Sequence, residues 1–252
     1  DSSILPFYDL QAFLSSSDNS YLNTINIIGN PFSYPYKAEL MDLLYSIPVK
    51  KNFYLTASTA CRFIKEIQQI DLPNYELYIY YEQEEASIHH ILTEKQIPFH
   101  WIYLISSEKQ YEDLEKLETK YGNEYVEVHP IYTGDNLPFF EENVYLAEED
   151  ILQSNYDKQD IFAHQVMNTN FWGRLSVLPD GKVYSNLNHP PLGTLKDRVY
   201  DLIVDEMTSK RAWRWIRDEV SPCKDCLFRY LCPSPSNYEL VIGKPNLCHV
   251  KP

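Results

Sequence analysis

The segment Glu76–Tyr121 reads ELYIYYEQEEASIHHILTEKQIPFHWIYLISSEKQYEDLEKLETKY and sets the pattern for the first half of the chain. Two apolar and aromatic runs, Glu76–Tyr81 and His100–Ile105, alternate with two charged, amphipathic stretches, Glu84–Lys95 and Lys109–Tyr121. Strands that alternate with helices of roughly 10–15 residues are typical of βαβ units and a mostly parallel sheet. The segment therefore predicts two strands and two helices of an α/β fold.

The same alternation continues on both sides of this segment and covers residues 22–133. It predicts strands at Asn23–Ile28, Asn52–Thr56 and Tyr125–Ile131, and helices at Lys37–Tyr45 and Thr59–Gln69. Each unit of strand plus helix takes about 25 residues, a spacing that fits part of a (β/α) barrel as well as an open sheet. The pattern does not decide whether the sheet closes into a barrel.

The remainder of the chain lacks this alternation. Residues 134–165 are acidic and begin with a glycine and a proline, which indicates a linker. The pattern further predicts a short helix, a β-hairpin and a longer helix, at Ala147–Gln153, at Leu175–Leu178 with Lys182–Tyr184, and at Asp197–Arg217. We therefore expect an α/β domain over residues 1–160 and a smaller domain over residues 165–252.

Composition limits the partners of this chain. Its 252 residues carry a formal net charge of -14. Sequence-independent binding to nucleic acid requires basic surface, and so does binding to anionic membranes. No apolar run approaches the roughly 20 residues that span a bilayer. We expect a cytoplasmic protein whose partners are neither nucleic acids nor membranes.

Four of the five cysteines are clustered near the end of the chain, at Cys223, Cys226, Cys232 and Cys248. Clustered thiolates indicate a metal site, an iron–sulfur site or disulfides. Disulfides are disfavoured because the chain has neither an apolar leader nor a cysteine framework along its length. The sequence therefore predicts four thiolates around one inorganic centre, and spacing alone leaves zinc and iron–sulfur open.

Other side chains near these motifs have simpler explanations. Cys61, on a predicted helix, is expected to be an ordinary buried thiol. Trp213 and Trp215 are expected to pack the core of the small domain instead of stacking on a ligand. His249 follows Cys248 directly, but a fifth ligand is not needed.

Residues 165–252 resemble the SPASM domain, which extends many radical SAM peptide-modifying enzymes at the C-terminus. The resemblance is carried by the hairpin Leu175–Tyr184, by Leu192-Gly193-Thr194-Leu195 after it, and by the spacing Cys223-x2-Cys226-x5-Cys232 followed by Cys248. In that family seven cysteines hold two auxiliary [4Fe-4S] clusters. Here the family's other cysteine positions carry Ser185 and Ser236, and Phe171 and Trp172 lie where a further cysteine would precede the hairpin.

The missing cysteines affect one of the two clusters. In the family the missing cysteines belong mostly to the first auxiliary cluster, and the four that remain hold the second. The resemblance thus implies that Cys223, Cys226, Cys232 and Cys248 bind one [4Fe-4S] cluster, with Zn²⁺ as the alternative. A serine hydroxyl is a poor ligand for iron, so Ser185 and Ser236 are not expected to replace the lost thiolates.

Residues 1–160 resemble a radical SAM (β/α) barrel more weakly. Ile25–Pro31 resembles the strand and the Gly-Gly-Glu-Pro loop that contact S-adenosylmethionine in that family, but Gly29 is followed by Asn30 and Pro31. The C-x3-C-x2-C triad of the catalytic cluster is absent from the chain. The resemblance therefore implies a partial, degenerate barrel with no catalytic residues and no S-adenosylmethionine.

The tail from Pro222 to His249 is similar to that of pseudo-radical-SAM SPASM proteins and of SPASM proteins from "grasp-with-SPASM" cassettes. Both groups are associated with short precursor peptides, and the second also with an ATP-grasp ligase. The resemblance implies a non-catalytic accessory protein in the maturation of a ribosomally synthesised peptide. The alternative is an active radical SAM maturase whose triad lies in an N-terminal segment absent from this chain.

Overall fold

A computed structural model describes residues 4–16, 22–82, 86–122, 126–209 and 211–250. Packing divides the chain into two compact units. One comprises residues 18–133, and the other combines residues 1–17 with residues 134–252. The sequence predicted domains over residues 1–160 and 165–252, and this assignment stays a prediction. The boundary between the two compact units lies elsewhere, between residues 133 and 134.

The secondary structure confirms the α/β class. The strands are β1 Thr24–Ile28, β2 Lys50–Thr56, β3 Tyr75–Tyr80, β4 Phe99–Ile105, β5 Val126–Pro130, β6 Ser176–Val177, β7 Lys182–Tyr184 and β8 Gly193–Thr194. The α-helices are α1 Phe7–Ser16, α2 Lys37–Ser46, α3 Ala57–Arg62, α4 Ile64–Ile67, α5 Ala86–Glu94, α6 Glu108–Tyr121, α7 Leu137–Asn143, α8 Glu148–Gln153, α9 Lys158–Val166, α10 Val199–Ser209 and α11 Asn237–Ile242.

In the unit of residues 18–133, strands β1 to β5 form one parallel sheet in sequential order. All five strands were predicted, with bounds that agree to within two residues; Tyr125, the predicted start of the last one, lies outside the described residues. Right-handed crossovers between sequential strands place every connecting helix on the same face. Sequential strand order with crossovers of this hand is the winding of (β/α) barrels, whereas open nucleotide-binding folds are wound on both sides of the sheet.

The core of this unit lies on the helical face of the sheet. Phe53, Leu77 and Phe99 are in register across β2, β3 and β4 and are buried. On the next rung, Ile79 lies beside Trp101, and the ring of His89 from α5 packs against Trp101 and Phe99. Alternation along the strands thus sends one set of side chains into the core beneath the helices.

One predicted helix, Thr59–Gln69, is interrupted in the structure. It begins two residues earlier, at Ala57, because the hydroxyl of Thr56 accepts a hydrogen bond from the backbone N–H of Thr59 and caps α3. It breaks at Phe63, whose backbone leaves the helical region before α4 begins.

The second unit contains helices that the sequence did not indicate. The predicted linker holds α7 and α9 in addition to the expected short helix α8. Pro138 falls in the first turn of α7, where proline is tolerated since its missing N–H would have no helical partner. The helix α1 was also missed, and its Phe13 packs in a core with Val183, Leu195 and Leu202.

The predicted hairpin is confirmed as β6 and β7, and β8 adds a third antiparallel strand. Its turn depends on Gly181, whose φ of 79° lies in the left-handed region that favours glycine. The helix predicted over Asp197–Arg217 ends at Ser209 instead. The cause is the buried carboxylate of Glu206, which accepts the backbone N–H groups of Ala212 (2.8 Å) and Trp213 (2.9 Å) and turns the chain away.

In the described parts of the chain, no helix combines the length and apolar character needed to cross a membrane.

Candidate metal centre

Three of the four clustered cysteines lie on consecutive tight turns. Cys223 begins a 3-10 turn, and the backbone N–H of Cys226 donates to the carbonyl of Cys223 at 3.0 Å. Cys232 ends the next turn, where its N–H donates to the carbonyl of Phe228 at 3.0 Å. Because these cysteines are close in the sequence, the tight turns alone keep them together.

The fourth cysteine reaches the same place through a strand-like contact. Cys248 forms a parallel bridge with Leu146, whose N–H donates to the carbonyl of Leu247 (3.1 Å). The N–H of His249 donates in turn to the Leu146 carbonyl (3.0 Å). His249 itself directs Nε2 to the carbonyl of Glu141 at 2.8 Å, so its ring serves the packing of the tail.

All four thiols line one cavity of about 30 Å³, in free form and without a disulfide. Most of the surface between them is apolar, from Leu146, Ile151, Pro222, Leu247 and Val250, and Arg217, Arg229 and Asn246 complete the lining. Within the described ranges, no three His, Cys, Asp or Glu side chains already stand at the mutual spacing of ligands on one metal ion. The four thiols surround a shared cavity, and this soft donor set fits zinc or an iron–sulfur cluster.

The electrostatics of the cavity disfavour thiolates when no cation is bound. Burial raises the pKa of the Cys232 thiol to about 11, Arg217 opposes this shift, and Cys248, Cys226 and Cys223 add to it. Burial likewise raises the pKa of Cys223 against the opposing charge of Arg217. A bound metal supplies positive charge and deprotonates its thiol ligands, so it would reverse this preference.

Arg217 is the residue of this site that sequence reasoning missed. It was predicted as the last residue of a helix, but it begins a 3-10 turn and is buried against the cavity. Its guanidinium forms a buried ion pair with Glu239 at 2.7 Å. A local pattern could not reveal this pairing, since the two residues are 22 positions apart.

A second arginine holds the loop between Cys226 and Cys232. The Nε of Arg229 donates to Asp218 (2.8 Å), and Nη1 donates to the carbonyl of Cys226 (3.1 Å). The hydroxyl of Tyr230 donates to the other oxygen of Asp218 at 2.7 Å. Asp218 thus holds the side chains of both Arg229 and Tyr230 in place.

Ser185 and Ser236, which the resemblance aligns with cysteines, are used in hydrogen bonds. The hydroxyl of Ser185 donates to the buried Glu206 at 2.7 Å. The side chain of Ser236 caps α11, where it accepts from the N–H of Tyr238, and its hydroxyl donates to Glu239 at 2.5 Å. Both serines therefore stabilise the same unit that contains the cysteines.

The prediction that the tryptophans pack the small domain is confirmed. Phe171 stacks on Trp215 with ring centroids 6.5 Å apart, and Trp172 contacts Trp213 at 5.6 Å. Trp213 is buried together with Phe171 and Ala212 in one cluster. Aromatic packing thus occupies the region where the family would have a further cysteine.

The prediction for Cys61 was wrong. It lies on α3 with its side chain exposed, not buried. The helix starts at Ala57 and not at Thr59, and Ala57 and Ala60 take the buried positions. Cys61 lies next to Ala60 on the exposed side of the helix.

The loop after β1 has its own internal order. The side chain of Asn30 accepts hydrogen bonds from the backbone N–H groups of Phe32 (3.1 Å) and Ser33 (3.3 Å) and caps the 3-10 turn Pro31–Ser33. Asn30 therefore stabilises this turn, in the position where the resembled family has glycine. The absence of S-adenosylmethionine stays a prediction.

The face of the sheet opposite the core carries a polar and aromatic cluster that we did not predict. The rings of Tyr54, Tyr78 and His100 stack across three strands at 4.8 Å and 5.0 Å. Glu76 accepts from Tyr78 (3.0 Å) and pairs with Lys50 at 2.7 Å. Glu76 and Tyr78 alternate with the buried Leu77 and Ile79, and this alternation was the signal in the sequence.

No family model, curated protein or solved structure matches this chain.

Proposed function

We propose that this protein is an accessory protein in the maturation of a ribosomally synthesised peptide, and that it holds one [4Fe-4S] cluster. The observation that supports this most directly is the common cavity of Cys223, Cys226, Cys232 and Cys248. These are the cysteines that match the SPASM spacing, and the fold brings Cys248 to the other three across a long intervening segment.

In this proposal the four thiolates would be the ligands, and the largely apolar lining would keep water from the centre. A cluster whose irons are all ligated by protein supplies structural stability or electron transfer, without an open position for substrate. This agrees with a role for the chain in binding and assisting rather than in catalysis.

The unit of residues 18–133 would then be a degenerate radical SAM barrel. Its sequential parallel sheet supports this assignment. We propose that the protein acts in the cytoplasm and binds a precursor peptide or the enzyme that modifies it, for which an ATP-grasp ligase is the candidate. Neither nucleic acid nor membrane is part of the proposal.

Metal analysis tests the centre. Anaerobically purified protein should contain four irons and four sulfides per chain, as a [4Fe-4S] cluster requires. Alanine substitution of Cys223, Cys226, Cys232 or Cys248 should remove most of the iron, whereas the matched variant Cys61→Ala should retain it, because Cys61 is exposed in the other unit. One zinc and no iron per chain would support the four cysteines as metal ligands and contradict the iron–sulfur cluster.

Peptide binding tests the accessory role. The probe is a short Gly-Gly-type precursor peptide of the class associated with the resembled proteins, labelled with a fluorophore and titrated with holoprotein in an anisotropy experiment. We expect saturable binding, with no 5′-deoxyadenosine formed when dithionite and S-adenosylmethionine are added. Production of 5′-deoxyadenosine would establish an active maturase and contradict the proposal.

A further inference from the structure

Arg217 places a buried cation directly beside one of the thiols. Its Nη1 lies 3.8 Å from the Sγ of Cys223, within hydrogen-bonding range of sulfur. Only 9% of the Arg217 side chain is exposed, so solvent screens its charge weakly.

The other donors of Arg217 reach a single part of the chain. Nη2 donates to Glu239 at 2.7 Å, Nε donates to the carbonyl of Pro233 at 3.0 Å, and Nη1 also approaches the carbonyl of Pro245 at 3.5 Å. All three partners lie between Cys232 and Cys248 in the sequence. Arg217 therefore ties the segment that joins the third and fourth cysteines to the first cysteine.

Glu239 holds the arginine in this orientation. Its second oxygen accepts from the backbone N–H (2.8 Å) and the hydroxyl of Ser236, so the carboxylate is fixed at the start of α11. A guanidinium held between this carboxylate and two carbonyls keeps its remaining N–H directed at sulfur. An N–H donor to a ligand sulfur and a nearby positive charge both stabilise the reduced form of an iron–sulfur cluster.

We infer that Arg217 is a positioning residue of the metal centre, which orients Cys223 and raises the reduction potential of the cluster that the four cysteines hold. The inference rests on the proposed function, because it requires a redox-active cluster at this site. It adds a determinant of the potential that lies outside the ligand set.

The test is a set of charge variants with matched cluster content. Arg217→Gln removes the positive charge, Arg217→Lys retains it without the planar fork, and Glu239→Gln removes the neighbouring negative charge. Arg211→Gln is the matched control, since Arg211 belongs to the same unit, is 31% exposed and paired with Asp205, and is not among the residues that line the cavity. Iron and sulfide are quantified first, and the midpoint potential is then measured by anaerobic spectroelectrochemical titration.

We expect Arg217→Gln to shift the midpoint potential in the negative direction. Arg217→Lys should cause a smaller negative shift, because it retains the charge. Glu239→Gln should shift the potential in the positive direction, and Arg211→Gln should cause the smallest change. Shifts of opposite sign at the two partners of one ion pair do not arise from a general loss of structure.

Each failure has its own signature. A wild-type protein that assembles no cluster overturns the proposed function and this inference together. A wild-type cluster whose potential is the same in Arg217→Gln overturns only the inference. If Arg217→Gln assembles no cluster, Arg217→Lys decides: a negative shift supports the role of Arg217, because the directed N–H to Cys223 is lost, and an unchanged potential contradicts it.

Discussion

In the unit of residues 18–133, five parallel strands bury alternate apolar side chains, whereas in the unit with the cysteines the strands are two or three residues long. The interiors differ accordingly. The sheet unit buries Phe53, Leu55, Leu77 and Ile79 completely. Among the described residues, eight of the ten buried polar or charged ones, including Asn168, Glu206 and Arg217, belong to the other unit.

This difference shows two ways of stabilising a chain. A regular sheet satisfies its backbone internally and gains stability from apolar burial. A segment with little regular structure needs buried side chains to satisfy its loops, and in our proposal it also gains stability from a bound metal. The comparison predicts that the two units respond to different perturbations, and the following experiments are ordered from the largest expected effect to the smallest.

Loss of a proposed metal ligand should have the largest effect, confined to one unit. Cys248→Ala removes the thiol proposed as the fourth ligand and keeps the backbone bridge between the tail and Leu146. We expect amide hydrogen exchange over residues 211–250 to accelerate by orders of magnitude, while β2 and β3 exchange as in the wild type. Cys61→Ala is the control. Equal protection of residues 211–250 in both variants would show that the metal does not stabilise this unit.

A cavity in the sheet core should show the reverse pattern. Phe53→Ala deletes a fully buried ring and should lower the free energy of unfolding of the sheet unit by about 3–5 kcal/mol. The measurement is hydrogen exchange of β2 and β3, together with the metal content. Ile28→Ala, at an exposed position on β1, should change stability by less than about 0.5 kcal/mol. Loss of metal in Phe53→Ala would mean that the units are not independent.

The polar interior should respond to loss of a single amide. Asn168 is fully buried, and its Nδ2 donates to the carbonyls of Trp215 (2.8 Å) and Pro235 (2.8 Å). Asn168→Ala leaves these carbonyls without that donor and should cost about 2–3 kcal/mol in a denaturant titration followed by tryptophan fluorescence. The matched variant Asn188→Ala, at an exposed position, should be neutral. Equal stability of the two variants would contradict a hydrogen-bonded core.

The smallest effect concerns the polar face of the sheet. Burial of Glu76 favours its neutral form, but hydrogen bonds from Lys50 and Tyr78 outweigh this and lower its pKa below the ordinary value of 4.5. The carboxylate therefore contributes stability above pH 4.5, and this contribution is lost as the pH falls through the lowered pKa. Because Glu76 is partly exposed, we expect about 1 kcal/mol or less.

Urea titrations of the wild type and Glu76→Gln at pH 7 and at successively lower pH test this. The wild type should be the more stable at pH 7, and the difference should shrink as the pH falls below 4.5. Glu82→Gln, an exposed glutamate of the same unit, controls for general acid effects. A difference that grows on acidification would reverse the assigned sign.

The sequence by itself determined the α/β class, the five strands of the sheet and the clustering of the cysteines. These features depend on local alternation and on short spacing, such as Cys223-x2-Cys226, which a single turn converts into proximity. The helix boundaries around Phe63 and Ser209 were not predictable in this way, because a backbone break sets the first and the hydrogen bonds that Glu206 accepts from Ala212 and Trp213 set the second.

Only the tertiary structure decided which distant groups meet. It brought Cys248 to the other thiols through Leu146, and it buried Arg217 against Glu239 and Cys223. It also showed that α1 packs in the core of residues 134–252. The physical reason is that buried charges and carbonyls need hydrogen-bond partners, and here these partners lie far apart in the sequence. Such pairing leaves no periodic signal in the sequence.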